Sequence, residues 1–188
     1  MKMSFKEFTV SLKLPYIGEV SGKWAPDESE QKAAWEMYVE LVTRISVVSL
    51  GPDEGLVSEA LASLHSLFDI TRSILRSYGP NVARPKIEHT YSFGYLAVVV
   101  LNGALRPLLA KWHPLLTDWE SKKPDDKSAV EWERAWKDKQ GKDLNLALRQ
   151  ELSQVQSALV QYANLLAEVA DIPSLIIEQV EDAGERER

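Results

Sequence analysis

From Leu101 onward, apolar side chains fall at Leu105, Leu108, Leu109, Trp112, Leu115, Leu116 and Trp119. That spacing keeps them on one face of a 3.6-residue helix. The enclosing stretch Phe93–Glu120, FGYLAVVVLNGALRPLLAKWHPLLTDWE, is the most apolar of the chain and reads as the central helix of a helical domain. Upstream of it, Ala34, Met37, Tyr38, Leu41, Ile45 and Val48 form one stripe. Leu56, Ala60, Leu64, Leu67, Phe68, Thr71, Ile74 and Leu75 form another. Downstream, Trp132 and Trp136 precede Leu144, Leu148, Leu152, Val155, Leu159, Tyr162, Leu166 and Val169, a run close to a heptad seam.

Punctuation agrees with these stripes. Asp27 with Glu30, and Ser128 with Glu131, have the three-residue spacing of a capping box. Gly51-Pro52 and Gly79-Pro80 are helix stops, Asp53 is a cap for the second helix, and Pro173 ends the last pattern. Gly141 either divides the fourth pattern or weakens a single helix, and the seam packs either inside the chain or against a second copy. At the N-terminus, Phe8, Val10, Leu12 and Leu14 alternate with polar residues, the period of a strand. Pro15 stops it, and YIGEVSGKW returns as a second strand with Gly18 or Gly22 at the bend. This hairpin either covers one end of the helical core or offers an edge to a partner's strand. The expectation is one domain over 1–188, mainly α: an antiparallel four-helix-type bundle over 27–172, a small β element over 1–26 and a short tail over 173–188.

Composition narrows the function. A net charge of −6 excludes nucleic-acid binding through overall charge. The local basic group Arg72, Arg76, Arg84 and Lys86 reads as a solvated helix end. With no cysteine there is neither a disulfide nor a thiolate site. MKMSFKEFTV has no apolar run suited to a signal peptide, so a cytoplasmic location is expected. The apolar run Tyr91–Leu105 is shorter than the roughly 20 residues that span hydrocarbon, and Arg106, Lys111 and His113 follow it. No membrane is expected as a partner.

The most distinctive chemistry is a seven-residue repeat, Arg106, His113 and Glu120, shadowed by Pro107 and Pro114. Seven residues make nearly two turns, so the three share one stripe at the border of the leucine face, where partial burial is expected; Asn102 lies near it. Adjacent members stand about 10 Å apart along the axis, too far for a catalytic triad. The stripe therefore either pairs with neighbouring helices, Arg106 with a carboxylate and His113 in a partly buried hydrogen bond while Glu120 faces solvent, or lines a ligand or peptide groove with Arg106 as anion clamp. Pro107 and Pro114 either bend the helix or start a new one. His65 reads as a satisfied core histidine, and Glu88-His89 as a cap or an exposed pair. No metal-ligand spacing, glycine-rich phosphate loop or nucleophile elbow occurs, so neither a catalytic residue nor a cofactor is expected.

The segments EALASLHSLFDITRSIL and LNGALRPLLAKWHPLLTDWE resemble stretches of uncharacterised bacterial helical proteins with an LRPxLxxWHPxLxxWE-like run. The resemblance covers most of the chain after the N-terminal strands. It implies a bacterial, soluble, helical protein and brings no activity with it. The expected function is a non-enzymatic interaction or adaptor module, binding a protein partner or itself as a homodimer through helical faces. The alternative is a small-molecule sensor or enzyme with a groove along 93–120, using Asn102, Arg106 and His113.

Overall fold

The structure, a computed structural model, describes residues 6–44 and 54–176. The expectations for Ile45, Val48, Gly51-Pro52, Asp53 and the tail beyond Ile176 lie outside the described residues. The chain begins with strand β1, Phe8–Leu14, whose Phe8, Val10, Leu12 and Leu14 are all buried while the residues between them are exposed. It pairs antiparallel with β2, Gly18–Trp24, in a register running from Leu14↔Gly18 to Phe8↔Trp24. Pro15 opens the connection, and Gly18 closes it at φ +86°, a conformation that costs a residue without Cβ little. Gly22 is not at the bend. It lies within β2 under the ring of Tyr91, where an added Cβ would stand 2.7 Å from Cε2.

That tyrosine closes the outer edge of β2. Its N–H donates to the Lys23 carbonyl at 2.6 Å and its hydroxyl to the Ser21 carbonyl at 3.0 Å. On the other strand, the Lys13 N–H donates to the Gln161 side chain at 3.0 Å. The hairpin thus takes the covering role: its apolar face lies on the helices and its β2 edge is occupied.

Among the described residues six α-helical segments follow: α1 Glu28–Val42, α2 Val57–Tyr78, α3 Phe93–Val100, α4 Arg106–Glu120, α5 Ala129–Arg134 and α6 Leu144–Val169. Both capping boxes are present, at Asp27–Glu30 and Ser128–Glu131. Gly79 ends α2 with φ +68° and a 3-10 turn, Gly79–Ala83, follows. Helix α1 lies against α6 and α2, α2 also meets α4, and β1 rests on α6. The fourth sequence pattern is two helices: Gly141 takes φ +85° between α5 and α6, and Asp143 caps α6. The seam residues Leu148, Leu152, Val155, Leu159, Tyr162, Leu166 and Val169 are buried within this one chain. The molecule is mainly helical with a two-stranded antiparallel N-terminal hairpin.

Helices α3 and α4 are one continuous helix interrupted by a π turn at Leu101–Leu105, where the Arg106 N–H reaches back five residues to the Leu101 carbonyl. Pro107 falls in the first turn after this wider loop, and Pro114 sits inside α4, so neither proline breaks the chain. The π turn inserts one residue into the helical phase, about 100° of rotation. Before it the buried side chains are Phe93, Leu96, Ala97 and Val100; from its last residue onward they are Leu105, Leu108, Leu109, Trp112 and Leu116. Without the insertion Pro107 and Lys111 would continue the inward row. The narrow stripe after the turn leaves Leu115 49% exposed, contrary to its place in the sequence pattern.

The hairpin tip packs on the π turn at Gly103, where a Cβ would stand 2.5 Å from Ile17 Cδ1 and 3.1 Å from Leu14 Cδ1. At the other end of α4, Trp119 and Trp132 stack with ring centroids 4.3 Å apart. Each indole N–H donates to the other residue's carbonyl at 2.9 Å, which fastens α5 to α4 across the charged turn. Gly103→Ala is expected to cost about 1–3 kcal/mol through overpacking, read as a lower melting temperature. Adding Ile17→Ala should recover part of that loss; no recovery would mean the tip does not seat on Gly103.

Candidate functional site

Two buried glutamates set where the helices of the site begin. Glu30 is 0% exposed. Its Oε1 accepts from the Trp24 indole N–H at 3.1 Å and from the Phe93 N–H, at the start of α3, at 2.8 Å; Oε2 accepts from the Asp27 N–H at 3.3 Å. Burial pushes its pKa up, and the Phe93, Trp24 and Asp27 donors and the charge of Lys86 hold the rise back. Lys86 pairs with Asp27 at 2.8 Å, and it belongs to this capping network rather than to a solvated basic patch. Ser92 adds a side-chain cap to α3, whereas Glu88 and His89 form an exposed pair.

Glu133 does the same for α2. It is buried on α5, and its carboxylate accepts the N–H groups of Val57 and Ser58 at 2.8 and 3.1 Å and the Ser58 hydroxyl. Helix α2 has no side-chain cap from its own N-cap residue, Leu56. A glutamate about 75 residues away supplies the acceptors that unpaired N-terminal donors need.

On this frame Asn102, Arg106, His113 and Glu120 all stand exposed on the central helix. The partial burial expected of the stripe is not found, because each of Arg106 and His113 follows a buried residue, Leu105 and Trp112, and so lies about 100° past it. Among the described residues Arg106 does not pair with a carboxylate of another helix. Its Nε–H donates to Asn102 Oδ1 at 2.8 Å, and the guanidinium lies 5.5 Å from the ring centre of Phe68 on α2. His113 stacks on His65 of α2, centroids 6.1 Å apart and planes 19° from parallel, and His65 in turn lies against Phe68. The structure thus joins Asn102, Arg106 and His113 to His65 and Phe68 across the α2–α4 face and leaves Glu120 outside this cluster. His65 is exposed, not a core histidine.

Sequence reasoning missed a second junction. Glu151 on α6 accepts from the Trp112 indole at 2.9 Å, from the Tyr16 hydroxyl at 3.2 Å and from the Lys111 ammonium. Burial and then the neighbouring Glu151 push the Tyr16 phenol up to about 12, which rules it out as a base near neutral pH. Although burial works against it, the donors around Glu151 lower its pKa. The group ties the hairpin turn, α4 and α6 together.

Among the described residues no three His, Cys, Asp or Glu side chains gather as a metal site. Phe93–Glu120 is, by length and composition, long and apolar enough to cross a membrane, with mean hydropathy 1.6 in its best window. That corrects the shorter span counted from sequence; 56% of the window is buried inside the structure, as in a core helix. No family model matches the chain, and neither does any curated protein or solved structure.

Glu30→Ala would strand the buried Trp24 and Phe93 donors and the part-buried Asp27 N–H, and is expected to cost about 3–5 kcal/mol, measurable by urea unfolding. For Glu151, the lowered folded pKa gives stability that is present above the ordinary value of 4.5 and lost as pH falls through the lowered one. Glu151→Gln should therefore flatten the fall in melting temperature on acidification below that value. An unchanged acid limb would remove this role.

Proposed function

We propose that the protein is a non-enzymatic interaction or adaptor module, self-associating and working through the α2–α4 face centred on Arg106. The observation that carries this reading is an arginine fixed on an exposed face with its charge unanswered. Asn102 and Phe68 hold the guanidinium in place, and among the described residues no carboxylate pairs with it. Arginine and aromatic groups supply most hot-spot energy in protein interfaces, and a pre-positioned side chain loses less entropy on docking. Tyr95 and Val98, 50% and 42% exposed, extend the surface towards the N-terminus of the same helix. The α6 seam is filled within the chain, which supports the α2–α4 face as the one offered to a second copy or another protein. The wider reading places the long helices in an antiparallel bundle, in a bacterial cytosol.

The stacked His65–His113 pair beside Arg106 favours one alternative, a groove for a small anionic metabolite along the central helix. Light scattering separates the two. The interaction reading expects a dimer at micromolar concentration, converted to monomer by Arg106→Glu with stability changed by less than about 0.5 kcal/mol. A wild-type monomer, stabilised instead by a metabolite in a thermal-shift screen through Arg106, would replace this reading with the ligand groove. At 100 times the dissociation constant that stabilisation is about 2.7 kcal/mol.

A further inference from the structure

We propose that the centre of the helical core holds one ordered water molecule that bridges the hydroxyls of Tyr162 on α6 and Thr71 on α2. Tyr162 is 2% exposed, and its hydroxyl has no hydrogen-bond partner among the described residues. Buried side-chain hydroxyls are overwhelmingly paired, with protein or with ordered water, because an unpaired one keeps its full desolvation cost. Thr71 is equally buried, and it donates its proton to the Leu67 carbonyl at 2.7 Å. Its oxygen therefore has lone pairs to offer and no proton to give.

Tyr162 and Thr71 line the same cavity. Its volume is about 10 Å³, close to the roughly 10–15 Å³ that admits one water and far below the size of an organic ligand. The remaining walls are apolar and come from every long helix, including Met37 of α1 and Leu101 and Leu105 of the π turn. With two polar partners the site meets the lower limit for an internal water. The directions match: the Tyr162 O–H donates to the water, and the water donates to Thr71 Oγ1. The bridge would be a polar tie between α6 and α2, at the level where the π turn widens the central helix.

The test is a double-mutant cycle on the full chain, backed by a high-resolution crystal structure. Tyr162→Phe removes only the hydroxyl, and Thr71→Val keeps the shape of the side chain. Each is expected to lower the melting temperature, and the double variant is expected to lose less than the sum, since either change alone removes the bridge. The density should show a peak within about 3.2 Å of both oxygens. A melting temperature unchanged or raised by Tyr162→Phe would overturn the proposal, because it would mean an unpaired hydroxyl that the fold is better without. Additive losses would mean that the two hydroxyls act separately. Xenon entering the cavity under pressure, with no peak before it, would show a dry void.

Discussion

A carboxylate with no access to solvent must have its charge answered by fixed donors, and in this molecule Glu30 is answered by three separate pieces of chain. The Asp27 N–H belongs to its own helix, the Trp24 indole to the end of the hairpin, and the Phe93 N–H to the start of the central helix. Those donors are themselves groups that a low-dielectric interior would punish if left alone. The junction therefore holds only when hairpin, α1 and α3 are all in place. It couples the β element to the helices through hydrogen bonds with definite directions, where apolar burial alone would leave their relative positions loosely defined. Glu133 repeats the device at the start of α2.

The second constraint is a matter of phase. Across the π turn the buried row of the central helix moves on by one residue, about 100° of helical phase, so that its apolar row continues against the core. Pro107, lacking an N–H, follows directly on the wider turn, and Gly103 lets the hairpin tip approach it. Arg106 and His113 stand outside the leucine stripe because each lies one residue, about 100°, past a buried one, Leu105 and Trp112.

That face carries positive and aromatic groups on a chain with net charge −6. Asn102 and Phe68 fix the arginine, and His65 stacks on His113. Elsewhere several polar groups are engaged within the fold. Lys86 answers Asp27, and Glu151 gathers Lys111, Trp112 and Tyr16. Among the described residues Arg106 has no carboxylate partner, and that contrast with Lys86 and Glu151 is what the proposed docking role rests on.

Local pattern by itself determined the elements. The alternation from Phe8 to Leu14, the capping boxes at Asp27 and Ser128, the apolar stripes and the stop at Gly79 depend on residues within a few positions of one another, so they are legible in order along the chain. The stripe Arg106–His113–Glu120 was legible as a stripe for the same reason. What tertiary structure alone decided lies at long sequence separation: that Glu30 caps α3 and Glu133 caps α2, that Tyr91 closes the β2 edge, and that His65 meets His113. The π turn belongs here too. Single-phase periodicity carries no signal for an inserted residue, and the turn forms where Pro107 cannot donate and the hairpin must seat on Gly103. The exposure of the stripe Arg106–His113–Glu120 belongs here as well, since which side of a helix faces water is set by the neighbours that cover it.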